Sequence, residues 1–230
     1  MTRFVRGQIL LVSIASLLAL TVSATLSVPV AGAFTAHVAK KSKKHKKAKK
    51  KHAAKNVSSV KITAGTETLT FNTTAAQALE KAKVAMTVVS PATGSLSAGF
   101  VFELTGGTLN PATGLGSVSA GGGITFATSF SVPGLFSSES NSTVSEPALA
   151  LNSTPTLSVT SQQVTPPTFP FETVSLKGVR PVSHGGTITL SDLPASLTST
   201  GAQFLNQFAS GSFTTGEAVG AVSVDVTASS

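Results

Sequence analysis

His184 is the one histidine in residues 56–230; it precedes Gly185-Gly186 and lies eight residues ahead of Asp192. A histidine so placed offers two chemistries, an axial metal ligand and a general base oriented by a carboxylate. It also has an ordinary structural use, bonding to backbone in a glycine turn. The surrounding residues favour the turn. Val118-Ser119-Ala120-Gly121-Gly122-Gly123-Ile124-Thr125-Phe126 and Val182-Ser183-His184-Gly185-Gly186-Thr187-Ile188-Thr189-Leu190 share the pattern V-S-x-G-G-x-I-T-apolar, with Ala120 where His184 stands. Each copy reads as a glycine turn launching a β-strand, because glycine adopts positive φ without penalty and the Ile-Thr pair suits a pleated surface. The same turn is expected in both copies, which hints at two related halves.

Other catalytic constellations are missing. Serines are abundant, but no G-x-S-x-G elbow accompanies them. The nine acids are scattered, without the carboxylate pair of glycoside chemistry. No phosphate loop, zinc spacing or calcium loop is found. The chain has no Cys, which excludes a disulfide scaffold, a thiolate metal site and a Cys-linked lipid. Asn56, Asn72, Asn141 and Asn152 match glycosylation acceptors at the frequency expected of a Ser/Thr-rich chain. No catalytic residue, metal site or resident cofactor is therefore expected.

The second chemical feature is a charge run. Residues 37–55 hold Lys40, Lys41, Lys43, Lys44, Lys46, Lys47, Lys49, Lys50, Lys51 and Lys55 with no acid. Like charges at that density repel, and little in the run can be buried, so a disordered segment is expected. It serves as a spacer or as a polyanion-binding element for an anionic cell-wall polymer or membrane surface, at about 1 kcal/mol per Lys near an anionic surface. Nucleic acid is not the expected partner, because the run lacks interleaved aromatics and arginines. His37, His45 and His52 sit among these lysines, where a cation would be repelled. The net charge of +8 belongs to this end of the chain. Residues 56–230 carry all nine acids against Lys61, Lys81, Lys83, Lys177 and Arg180, a net −4.

The elements that position these groups follow from pattern. Arg3 and Arg6 precede the apolar run Ile9–Leu20, and small residues follow at Val22-Ser23-Ala24 and Ala31-Gly32-Ala33. This reads as a signal peptide over 1–33, with cleavage after Ala33 favoured over Ala24 and an uncleaved anchor as the alternative. Residues 34–55 form the Lys-rich linker, and 56–230 the domain. In the domain, strands are expected at 57–62 and 68–71 around a turn at Ala64-Gly65-Thr66. A helix capped by Thr73 or Thr74 follows over 75–82, then strands at 84–89 and 100–104. Ile124, Phe126, Thr128 and Phe130 should share an inward face. Residues 133–171 are expected to be loops and edge strands, with short alternating runs near 148–151 and 156–160 and with Pro166, Pro167 and Pro170 excluded from any central strand; residues 171–179 return to strand. A second helix is expected over 199–208, and Val222, Val224 and Val226 mark a closing strand. Many short strands between turns indicate an all-β protein, an antiparallel β-sandwich with two short helices.

The spacing Phe100-x-Phe102, Gly107-Thr108, Asn110 and Thr113-Gly114-x-Gly116-x-Val118-Ser119-x-x-Gly122-x-Ile124-x-Phe126 resembles the HtaA-type domain of secreted actinobacterial proteins. So does Leu197-Thr198-x-x-Gly201-Ala202 with Phe208 and Gly216, so that the resemblance spans residues 65–226. It implies a β-sandwich associated with haem uptake at the cell envelope, with haem iron held by tyrosine and assisted by histidine. This chain has no Tyr, and the family histidine aligns near Ser129. The remaining candidate ligands are His184, Met86 and the histidines of the Lys-rich run. The expectation is a secreted, envelope-associated, non-catalytic binding or display protein tethered by its lysines. The alternative is a haem-binding module using His184.

Overall fold

The computed structural model describes residues 58–132 and 136–228. The signal peptide, the Lys-rich run with its ten lysines and three histidines, and residues 133–135 lie outside the described residues. The elements in chain order are β1 (Val60–Phe71), α1 (Thr73–Lys81), β2 (Ala85–Val89), β3 (Thr93–Ser95), β4 (Gly99–Leu109), β5 (Gly116–Ala120) and β6 (Gly123–Val132). They continue with β7 (Phe136–Leu151), β8 (Thr156–Thr160), β9 (Thr168–Val174), β10 (Val182–His184), β11 (Thr187–Leu197), α2 (Ser199–Ala209) and β12 (Ala218–Ala228).

The body is antiparallel all-β with two short helices, as expected. Its layers belong to one continuous sheet. The order β7-β5-β4-β1-β12-β11-β9-β8 returns to β7 through a β7–β8 pairing, so these strands close as a barrel. Closure leaves no free edge among them. β7 is long enough to serve twice: Ser145–Leu151 pairs within the barrel, and Phe136–Ser145 carries β6. β2 pairs with the outer side of β6, and the two make a flap.

The period-two pattern decides what fills the interior. Phe100, Phe102 and Leu104 point inward from β4, and Val222, Val224 and Val226 do so from β12. On β6, Ile124 and Phe126 are buried, while Thr128 is part-exposed; the Phe130 side chain lies outside the described residues. β1 is a single strand in place of the two expected. The strand's register shift lies between Ile62 and Ala64, and Gly65, at φ +143, passes so close to β12 that a Cβ there would stand 2.0 Å from the Asp225 carbonyl oxygen.

Residues 133–171 depart from expectation in their first part; the alternating runs near 148–151 and 156–160 do lie in strands, though in barrel strands and not at an edge. The segment holds β7, the longest strand, and two further barrel strands. In the first half of β7 hydroxyl pairs replace the apolar alternation: Thr125 bonds Thr143 at 2.7 Å, and buried Ser142 bonds Ser161 at 3.1 Å. Pro170 does sit in a barrel strand, opposite Ser158, and Pro147 sits in β7; both lie at register shifts, where a ladder N–H is not required.

Both helices follow a barrel strand and bury an apolar stripe. α1 is capped by Asn72, whose Oδ1 accepts from the Ala75 N–H at 2.8 Å; Thr73 and Thr74 lie inside the helix. The Asn72 amide also donates to the Ala218 carbonyl at 2.6 Å, tying helix to β12. Asn72→Ala should cost about 1 kcal/mol for the cap alone, and Asn72→Asp should restore most of it; urea unfolding of the three proteins checks this.

Candidate functional site

His184 ends β10 and is exposed. It pairs with Thr187 across Gly185-Gly186, whose φ values of +57 and +83 make a two-residue hairpin of the kind only glycine forms readily. The first motif copy does not build this turn. β5 pairs with β4 and β7, whereas β6 pairs with β2 and β7, so Gly121-Gly122 carries the chain between strands that never meet. Ala120 is buried there, 4% exposed. The shared pattern is thus no mark of equivalent halves. Asp192 lies at a bulge five residues beyond Thr187, about 16 Å along β11, and its N–H bonds Ser223 Oγ. The two do not form a catalytic pair.

The helices mark the other end of the barrel. A cleft of ≈ 750 Å³ opens where α1, α2 and β6 converge. Ala78, Ala82, Phe208 and Ala209 supply its apolar surface. Lys81 and Lys83 supply charge, and Thr128, Ser129, Ser131, Ser210 and Ser212 supply hydroxyls, with Gln207 beside them. No carboxylate lines it. The helix ends shape the opening. Lys83 leaves α1 at φ +57 with its N–H on the Glu80 carbonyl, and Ser210 leaves α2 at φ +36. His184 is separated from this cleft by the length of β11, about 30 Å.

A third feature was not anticipated. Glu67 on β1 and Glu172 on β9 are both 0% exposed, and none of their four carboxyl oxygens has a hydrogen-bond partner. Glu67 faces a small enclosed cavity of ≈ 20 Å³ lined by Leu69, Phe102, Phe126, Leu157 and Ser145 among others. Burial pushes Glu67 from the ordinary value of 4.5 up to about 8. Burial does the same to Glu172, also to about 8, and the charge of Glu67 adds to it. Both are therefore uncharged acids at neutral pH and below.

Glu172 faces inward because of a bulge. Leu157 pairs with Glu172 and the next residue, Ser158, with Pro170, so Phe171 is the extra residue on β9. Phe171 and Glu172 are consequently both buried, which strict alternation forbids. Glu67 was within reach of the sequence. Thr66, Thr68 and Thr70 alternate with Glu67, Leu69 and Phe71, which puts the carboxyl on the apolar face.

A closed antiparallel barrel with a flap and two helices beside an open cleft defines the class. Comparison with known proteins makes it specific: the HtaA family profile matches residues 80–225, and the chain belongs to that family. The C-terminal domain of HtaA from Corynebacterium glutamicum is similar in structure, with a TM-score of 0.53 at 14% identity, covering 74% of this chain and 99% of that domain. The N-terminal domain of the same protein gives 0.50 at 20% identity, covering 74% and 99%. The heme binding protein HtaB of that organism gives 0.46 at 17% identity, covering 75% and 96%. No curated protein sequence matches.

Haem, which the family implies, needs an axial donor of the Tyr, His, Cys or Met kind. The cleft offers hydroxyls, an amide and ammonium groups, and Ser129 is one of the hydroxyls. Met86 is half-buried against the core, and His184 is at the opposite end. The residues at the cleft do not fit iron ligation. No group of three or more His, Cys, Asp or Glu that could hold a metal is found among the described residues.

Proposed function

We propose that the chain is a non-catalytic binding module held at the cell envelope, with its ligand seated in the cleft beside α1, α2 and β6. The carrying observation is the cleft's composition: two lysines and five hydroxyls around an apolar surface, with no opposing carboxylate. That set suits an amphipathic organic anion, since the apolar part is buried and the acidic groups meet Lys81 and Lys83. Envelope association is supported by the signal-like segment 1–33 and by the ten lysines from Lys40 to Lys55, which would adhere to anionic wall polymer or lipid. No helix among the described residues is long and apolar enough to cross a membrane.

Haem is the second reading, favoured by family membership, since the family is associated with haem uptake. It and the first reading meet in one experiment. The full chain is titrated with haemin and, in parallel, with iron-free protoporphyrin IX, whose two carboxylates are the same. Recognition through the lysines predicts equal affinities within about threefold, and a loss of about tenfold for both in K81Q/K83Q, equivalent to about 1.4 kcal/mol. A preference for haemin of a hundredfold or more, with a Soret shift that His184→Ala abolishes, would establish iron ligation instead. Binding of neither removes the porphyrin as ligand.

A further inference from the structure

The buried acids stand beside the seat of α2, the helix that walls the cleft. Thr198, the N-cap of α2, donates its hydroxyl to the Pro170 carbonyl at 2.6 Å and to the Phe171 carbonyl at 3.2 Å; its N–H also bonds the Phe171 carbonyl. Gly201 lies so close to that strand that a Cβ would stand 2.1 Å from the Phe171 oxygen. The first turn of α2 therefore rests on Pro170 and Phe171, the residues immediately before Glu172. Aromatic contacts continue from there. The Phe171 ring packs on Phe204 at 6.1 Å, Phe204 packs on Phe208 at 5.6 Å, and Phe208 lines the cleft.

We propose that Glu67 and Glu172 form a proton-binding pair inside the barrel, and that its protonation keeps the β9 bulge closed and α2 seated against the cleft. With both carboxyls protonated the pair is neutral and stays dry. Loss of a proton leaves a carboxylate with no cation or donor facing it. Glu103 on β4, Asp225 on β12, Asp192 on β11, and Glu139 and Glu146 on β7 are all exposed on the outside, as is Lys61 on β1. β5, β6, β8 and α2 carry no titratable residue, and β9 carries Glu172 alone. The charge can be stabilised only by water, and the bulge is where the β8–β9 ladder is already interrupted. Water entering there displaces the residues that hold the N-cap of α2. The pair thus couples alkalinity to the wall of the cleft. The consequence for ligand binding rests on the cleft reading above; the seating of α2 is measured without a ligand.

Amide hydrogen exchange of the full chain, expressed as protection relative to the free-chain rate at each pH, tests this. Between pH 6 and pH 9.5, protection of residues 200–209 should fall at least tenfold, while that of β2 and β6 in the flap changes less than threefold. In E67Q/E172Q the fall in α2 should vanish. Glu172→Met, which removes the titration without leaving a polar atom, should suppress it too and serves if the double variant does not fold. A wild-type α2 with constant protection, an equal fall in both variants, or a loss spread evenly over helix and flap would each overturn the proposal.

Discussion

Replacing Glu67 and Glu172 together by glutamine is expected to abolish a loss of stability that the wild-type barrel undergoes between about pH 4.5 and about pH 8. In that window the unfolded chain has released the protons of both carboxyls, near their ordinary value, while the folded barrel still holds them. The folded state binds more protons, so stability falls as pH rises, by up to ~1.4 kcal/mol per unit per carboxyl. The contribution is complete below the unfolded value and exhausted once both groups have ionised in the folded state. Because the charge of Glu67 opposes that of Glu172, the two losses are staggered, and each single variant should retain a part of the slope. Urea unfolding followed by far-UV circular dichroism at pH 5, 6.5 and 8 gives the comparison. The double variant should be the less pH-sensitive protein and the more stable one at pH 8, since glutamine has no charge to desolvate. Equal slopes in the two proteins would mean that the carboxyls are charged and hydrated in the folded state.

Much of the barrel was legible because its strands obey the two-residue period with apolar residues inward. Phe100-x-Phe102-x-Leu104 and Val222-x-Val224-x-Val226 needed no tertiary information. The first half of β7 is not legible as a strand, because its pairing uses Ser and Thr hydroxyls, as in the Ser142–Ser161 bond, and those residues carry no inward signal of their own, whereas its end near 148–151 alternates visibly. The two motif copies show the limit of local pattern. Val-Ser-x-Gly-Gly closes a hairpin at His184 because β10 and β11 pair with each other, and it opens into separate strands at Ala120 because β4, β7 and β2 compete for the partners. Distant residues decide which happens.

The site was less legible than the fold for a related reason. Glu67 lies in phase with Leu69 and Phe71, yet a carboxyl on that face is read as outward by default because burial of a charge is so costly. Glu172 could not be found by phase at all, since the bulge at Phe171 shifts the period by one, and only Pro170 hints at the irregularity. The cleft draws on residues near 80, near 130 and near 210, which no spacing rule brings together. Conversely, His184 draws notice as the domain's one histidine, and the structure places it at the end of the barrel opposite the cleft.

Phe204→Ala should be among the most destabilising single substitutions in the domain, and it should also disable the cleft. Phe204 is 1% exposed and meets Phe126 edge-on at 5.4 Å, Phe169 at 5.8 Å, Phe171 at 6.1 Å and Phe208 at 5.6 Å. Truncation removes one ring from contacts with four others and leaves a cavity bounded by β6, β9 and α2, which cannot all collapse toward it. A cost of about 3–5 kcal/mol is expected, with Phe204→Leu recovering part of it. The denaturation midpoint should fall with an unchanged m-value if the barrel stays intact and only packing is lost. Phe208 has a second support, stacking on Phe126 at 5.8 Å, so Phe208→Ala should cost less stability than Phe204→Ala. It should nevertheless weaken any ligand of the cleft more per unit of stability lost, because Phe208 itself forms the wall. Variants that ranked alike in stability and in binding would show that the cleft is merely a by-product of helix packing; a divergence between Phe204 and Phe208 would assign the wall a role of its own.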